Sequence, residues 1–473
     1  MLDKHYYSIK TNKKPCTITN FKRNLIAVAL LSFNTSVLAI GEGPNHTHIE
    51  QSQIESGELS TAEIVKHGQL KFTTDFNRFD GHGDPERPGV NGVGVSTGFN
   101  RISGTDSVAC TACHSKPFVG GASDNAANIF PGFNRPDNID SPSFEGLNVK
   151  NSQSVFGGGA KQRIAEEMNA ELAAIANEAI EFASDLGDSF TLPLVAKGIS
   201  FGEITALADG TLDTSGVEGV STDLVIRPFN VVGAEPNLRS FVVGAMEQHF
   251  GIEAEERFGL DGDGDGVERE LTVGDVTATA LFQAALPIPT QVIPKKNREV
   301  RRAIFAGEKT FNKIGCASCH TPEMKIDDPV FQQTAPGTDF VTTLDLTRDS
   351  FVPRLRRNRD GSATAKIYSD LKRHDMGAEL AEPLLQVDRA STSHFVTSQL
   401  WGVASTGPWL HDGRATTLTD AILLHGGEAD ASSTAFESLS EYEQAEVIEF
   451  LKSLQIVIRD PRLIIPNLPL GQY

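Results

Sequence analysis

Four of the five cysteines fall in two copies of one pattern, Cys110-Thr111-Ala112-Cys113-His114 and Cys316-Ala317-Ser318-Cys319-His320. Two thiols three residues apart can add across the two vinyl groups of one haem, and the adjacent histidine then reaches the iron as its proximal ligand. A bare Cys-x-x-Cys is also a zinc half-site or a redox disulfide. A histidine directly after the pair, twice, in a chain whose one other cysteine is Cys16, argues for haem instead. The expectation is two covalent haem c groups, one on Cys110 and Cys113 with His114 below the iron, the other on Cys316 and Cys319 with His320.

What fills the sixth position of each iron decides its chemistry. A Met or His there makes an electron-transfer centre, whereas an open or displaceable site binds peroxide or dioxygen. Met324 follows its own haem motif too closely to reach the far face. Met168, Met246 and Met376 remain, with His82, His249, His374, His394, His411 and His425.

Helices are needed to present these groups. Ser60 with Glu63 three residues on has capping-box spacing and predicts a helix start. Residues 71–109, rich in Gly, Asn, Asp and Arg, read as a long loop delivering the first motif, and the Ala/Glu-rich stretch 160–185 reads as helix. A short-strand or irregular region follows around 198–235. Residues 272–285 look helical until Pro287-Ile288-Pro289 breaks them, the best linker candidate. A helix near 297–313 ends at Gly315 and presents the second motif. Ser440 and Glu443 cap a last helix carrying the stripe Val447, Leu451 and Leu454. A helix leading into the motif and an amphipathic one at the end suggest a cytochrome c domain. The fold class expected is mainly α, with two cytochrome c-like haem domains, over 60–286 and 296–458. The 206 residues between motifs give the first domain large insertions.

Residues 1–39 read as a secretory signal: Lys22 and Arg23, the apolar run Leu25–Leu31, and small residues around a cut after Ala39. The first twenty residues are long for an n-region. Export to the periplasm or beyond the cell follows, and removal of the signal takes Cys16 with it. With 39% hydrophobic and 22% charged residues the chain is globular in type, and a net charge of -20 argues against nucleic acid as a partner. That charge suits a basic electron donor or a small neutral substrate equally well.

The run Leu400-Trp401-Gly402-Val403-Ala404-Ser405-Thr406-Gly407-Pro408-Trp409-Leu410-His411-Asp412-Gly413-Arg414 resembles the di-haem cytochrome c peroxidase superfamily, and more narrowly its di-haem oxidoreductase (thiol oxidoreductase/peroxidase) group. His374-Asp375-Met376-Gly377, Leu424-His425-Gly426-Gly427-Glu428 and the early Phe99-Asn100-Arg101 support the likeness, which covers most of 65–458. The resemblance implies a distal ligand of the second haem at His425, fourteen residues after His411, where classical peroxidases have Met. His411 is expected to brace the pocket. The same pattern implies a distal histidine soon after the first motif, yet no histidine stands between His114 and His249. Either the first haem is five-coordinate and reactive, or His249 or Met246 reaches it.

The resemblance implies a di-haem oxidoreductase that takes electrons from a small cytochrome c or cupredoxin and reduces peroxide. A distal acid/base is then required, and His249, Glu247 or a carboxylate of 160–185 can serve. A non-catalytic electron carrier, and an oxygenase or protein-modifying enzyme on the same scaffold, are the alternatives. Separately, Asp261, Asp263 and Asp265 with Gly266 form the first half of a calcium loop; position 12 is Thr272, so Glu270 or Asp275 would have to substitute for the usual Glu.

Overall fold

The computed structural model describes residues 42–83, 105, 107–123, 128–131, 147–351, 355–382, 392–458 and 463. The secretory signal, Cys16 and the Phe99-Asn100-Arg101 stretch lie outside them. Two short helices open the described chain, α1 (Gln51–Glu55) and α2 (Thr61–Thr73). Ser60 caps α2 and exchanges hydrogen bonds with Glu63, as the spacing predicted. The long α3 (Gly158–Leu186) buries Ile164, Met168, Leu172, Ala176, Ala179 and Ala183, one stripe at helical spacing. It packs on an antiparallel sheet of Phe190–Ala196, Ile199–Ala206 and Leu212–Asp213, which begins before the short-strand or irregular region expected from 198.

Next come α4 (Leu238–Phe250), α5 (Glu255–Phe258) and α6 (Val273–Ala285). Twelve of the thirteen residues of α6 are buried, from Gly274 to Ala285, so this helix is covered on all sides and forms the centre of the core. The remaining helices are α7 (Arg298–Lys313), α8 (Leu418–Leu423), α9 (Asp430–Glu437) and α10 (Glu441–Ser453). Ser440 caps α10 through Glu443, and Val447, Leu451 and Leu454 are buried as the stripe predicted.

Two helix crossings repeat one another. A Cβ on Gly68 of α2 would stand 1.9 Å from the Ala278 carbonyl oxygen of α6. A Cβ on Gly307 of α7 would stand 1.9 Å from the Glu446 carbonyl oxygen of α10. Only glycine allows backbones so close. One turn after each glycine a phenylalanine meets a partner on the crossing helix: Phe72 with Phe282 at 5.2 Å, Phe311 with Phe450 at 5.3 Å. The same two phenylalanines face the motif histidines, at 6.1 Å from His114 and 6.3 Å from His320. The expected break at Pro287-Ile288-Pro289 leads into Thr290–Gln291, which pairs with Leu454–Gln455 after α10. The end of the chain's last helix is thereby stitched to the segment between the two crossings.

Candidate functional site

Each Cys-x-x-Cys-His motif opens onto a cavity. The second is formed by a single 3-10 turn, Cys316–Ser318, entered through Gly315 at φ +93°, a left-handed conformation that glycine adopts without cost. The turn faces His320 into a cavity of about 280 Å³ lined also by Cys316, Cys319, Trp409, His411 and His425. The Nδ1–H of His320 donates to the Tyr368 carbonyl at 3.0 Å. Tyr368 holds a left-handed backbone (φ +52°), a conformation costing about 1 kcal/mol or more, and its buried ring against Phe450 keeps it there. Burial, then the charge of His425, pushes His320 down to about 4, so its imidazole is neutral, the form that binds metal.

His425 sits opposite. It follows α8, and its Nδ1–H donates to the Ala421 carbonyl at 2.6 Å, which leaves Nε2 free. Burial lowers its affinity for a proton too. The two rings lie 6.5 Å apart between centroids at 56°. Two imidazoles bound through Nε2 at about 2.0–2.1 Å to one metal have their centroids about 6–6.5 Å apart. The residues present therefore fit an iron between them.

Met376 also lines this cavity, whereas His411 and His374 are engaged elsewhere. His411 lines the cavity but stacks on Phe395 at 4.5 Å and 22°. His374 lies between Asp370 (2.9 Å) and Glu428 (2.7 Å). Burial would discharge it, but hydrogen bonds to these carboxylates and its 4.0 Å contact with Cys319 raise it to about 11.

The first cavity, of about 270 Å³, is lined by Cys110, Cys113 and His114 on one side. His114 Nδ1–H donates to the Gly121 carbonyl at 3.2 Å, and burial lowers the ring to about 4. No second histidine ring meets that of His114 among the described residues; its ring contact is Phe72. The facing wall comes from α4, which contributes Met246, Gln248 and His249, the last near enough for its charge to depress His114 further. Glu247 is not on this wall. It is buried and paired with Arg257 at 3.0 Å, so the acid/base role expected of it has no contact with the cavity behind it.

Sequence reasoning missed Lys161. It lines the first cavity, is buried, and its ammonium lies 4.6 Å over the Phe229 ring. Burial lowers it to about 8. An ammonium in this position calls for an anion from the cavity. The available signal was Gly157-Gly158-Gly159: a Cβ on Gly159 would come within 2.7 Å of the Ala284 carbonyl, so the glycines let the start of α3 press into the core and carry Lys161 with it. Also missed was the segment Asn151–Ser154, which with Val231 lines both cavities. It is fixed to the first motif's turn by the Val155 N–H on the Gly120 carbonyl (3.0 Å), and to the second side by the Asn151 N–H on the His411 carbonyl (2.7 Å).

None of the four motif cysteines is in a disulfide. The carboxylates of Asp261, Asp263 and Asp265 lie within 4.8 Å of one another. Thr272 caps α6, and Asp275 is buried on Lys71 (3.1 Å) and His48 (2.6 Å), so neither completes that loop.

Comparison with known proteins bears on the second cavity most directly. Residues 266–454 match the family described as "Di-haem oxidoreductase, putative peroxidase". A cytochrome-c peroxidase, IdrP2, of Pseudomonas sp. (strain SCT) is 28% identical over 166 residues, 34% of this chain and 40% of the relative, so the match spans about two fifths of that protein's length. Among solved structures, a Kuenenia stuttgartiensis hydrazine synthase overlaps 91% of this chain and 100% of its own at 15% identity and a TM-score of 0.38. A MauG-like protein associated with microbial copper homeostasis overlaps 88% and 94% at 13% identity and 0.37. No helix among the described residues is long and apolar enough to cross a membrane.

Proposed function

We propose that this chain, which belongs through residues 266–454 to the di-haem oxidoreductases of peroxidase type, carries two covalent c-type haems and reduces peroxide at the first of them. The repeated glycine–phenylalanine crossings, each facing a motif histidine, support two cytochrome c-like haem units around 60–286 and 296–458. The observation that carries the division of labour is the 6.5 Å apposition of His320 and His425 in one cavity, with no such histidine pair at His114 among the described residues. Two strong axial ligands make an electron-transfer centre; a weakly occupied sixth position makes a reactive one.

In this reading the haem supplies the iron site and the electron storage. The chain does the rest. His114 and His320 hold their Nε2 atoms neutral and oriented through Gly121 and Tyr368. His249, on the facing wall, takes the proton of bound hydrogen peroxide and returns it to the departing oxygen. Lys161 pairs with an anionic group in the cavity, a haem propionate being the nearest chemistry. The overall step consumes one peroxide, two electrons and two protons, breaks the O–O bond and yields two waters. The electrons enter from a small donor protein, a cytochrome c or cupredoxin, and cross along the shared wall of Asn151–Ser154. Haem attachment through thioethers and the N-terminal signal both belong to an exported protein, in the periplasm or outside the cell.

The test is peroxide-dependent oxidation of a reduced small cytochrome by the di-haem protein. His249→Leu should lower the rate by about 10²–10⁴-fold, the range of a lost acid/base group, while both haems stay attached. Dioxygen consumption without a donor, or no reaction with peroxide at all, would contradict the reading.

A further inference from the structure

The chain has a net charge of -20, yet one helix runs against that balance. Residues 295–313, which cover α7 and its approach, hold seven Lys and Arg against two carboxylates, Glu299 and Glu308. Arg298, Arg302, Phe305, Lys309 and Lys313 recur every three or four residues and are all exposed, so they form one face of the helix. Phe305, in the middle of that face, is 52% exposed. The opposite face, with Ile304, Gly307 and Phe311, is buried against α10. Among the described residues no carboxylate pairs with Arg298, Arg302 or Lys309. Lys313 adds to the Ser440 hydrogen bonds that hold the Glu443 carboxyl of α10 low, so its charge is partly answered. The helix crossing itself does not demand these cations. Matching Gly68 to Gly307 and Phe72 to Phe311 sets Leu59, Glu63, Lys66 and Leu70 where the second crossing has Arg298, Arg302, Phe305 and Lys309. The basic face is thus a property of the second site, and α7 ends beside that site's haem turn, Cys316–Ser318, whose Ser318 is exposed.

We propose that this face of α7 docks a small acidic electron-donor protein, whose carboxylates meet Arg298, Arg302 and Lys309 around Phe305, and that the second haem takes its electron. The proposal rests on the reading of the second site as the electron-transfer centre. It also decides between donor charges: the whole-chain charge alone suits a basic donor, whereas the surface beside the second motif suits an acidic one. At 0.1 M salt fields are screened beyond about 10 Å, so a partner close to α7 meets its cations rather than the net charge of the molecule. Arginine and an exposed aromatic are the side chains enriched where proteins meet. A lipid surface would take the apolar face of a helix, and on α7 that face is already buried on α10.

The test uses the di-haem protein without peroxide and two small c-type cytochromes, one of net negative and one of net positive charge. Calorimetry gives the affinity of each ferric cytochrome at about 0.1 M salt, and stopped-flow absorbance follows reduction of the second haem by each ferrous form. The acidic cytochrome should bind more tightly and react faster, and added salt should weaken it. Reversing the charge of the face with Arg298→Glu, Arg302→Glu and Lys309→Glu together should slow the acidic cytochrome's association by about 10–1000-fold and favour the basic one. A variant that merely failed to fold would lose both, so the opposite signs identify docking. Phe305→Ala should weaken the acidic cytochrome about tenfold and leave its salt dependence as it was. A parent that prefers the basic cytochrome, or a charge-reversed variant that treats both as the parent does, would overturn the proposal. So would a parent that binds phosphatidylglycerol vesicles or dimerises through this face, with the variant losing that behaviour. Peroxide reduction with electrons from a chemical reductant is measured separately: its absence removes the peroxide reading and leaves the docking face in place.

Discussion

The two cavities are built alike on one side and differently on the other. Below each, a glycine-mediated helix crossing sets a phenylalanine against the motif histidine, and a backbone carbonyl fixes that histidine's Nδ1. Above His320, the short α8 ends so that His425 is held by its own helix, Nδ1 on the Ala421 carbonyl, and presents its free nitrogen to the cavity. Above His114 stand the flank of α4 and the start of α3, with His249, Met246 and Lys161. The proximal half of a haem site thus depends on local sequence, a motif and one helix pair. The distal half depends on which distant element the fold brings over it, and there the two sites part.

The largest change should come from exchanging those distal characters. His425→Gly should turn the second site from inert to open, so that cyanide or carbon monoxide binds at both haems rather than one. His411→Gly should leave ligand binding at the second haem unchanged, since His411 is stacked on Phe395. The reverse pattern would make His411 the ligand. Replacing His425 by Met should raise the potential of that haem, because imidazole favours ferric iron more than a thioether does.

A smaller effect probes the shared half. Gly68→Ala and Gly307→Ala each drive a methyl into a carbonyl of the crossing helix. Each should cost about 1–3 kcal/mol by overpacking, read as a lower denaturation midpoint at unchanged haem content. If the crossings are equivalent, the two losses should be similar; a loss at one position alone would break the internal likeness.

The smallest effects concern pH, and they run in opposite directions beside the two cavities. Burial would raise Asp275, but His48 and Lys71 hold it down at about 2. Its folded value lies below the unfolded one, so its contribution is present above about pH 4 and is lost as pH falls toward 2. His374 is raised to about 11, so its contribution is full below about pH 6.5 and fades as pH rises toward 11. Thermal melts across pH should show Asp275→Asn flattening the acid limb and His374→Gln the alkaline limb. No change in either limb would remove these pairs from the account.

Much of this was legible in the sequence where the signal is local. The haem motifs, the caps at Ser60 and Ser440, the 160–185 helix and the buried stripe of α10 all depend on residues within a turn or two of each other. His425 was reached through family resemblance rather than chemistry, since spacing alone cannot say that α8 folds back over His320. Lys161 looked like one more charge on a polar helix, and only tertiary packing of the glycines before it shows that its ammonium faces a cavity. Glu247 stands beside a candidate histidine in sequence, yet it pairs with Arg257 and does not line the cavity.

Electron paramagnetic resonance of the fully ferric protein tests the central contrast most directly, since it distinguishes high-spin from low-spin iron at each site. The account predicts two populations of equal weight: a low-spin bis-histidine signal that peroxide-site ligands leave alone, and a high-spin or readily exchanged signal that cyanide converts to low spin. His425→Gly should move the first population to high spin and leave the second as it was. Two low-spin signals, both unchanged by cyanide, would contradict the account and make the chain an electron carrier.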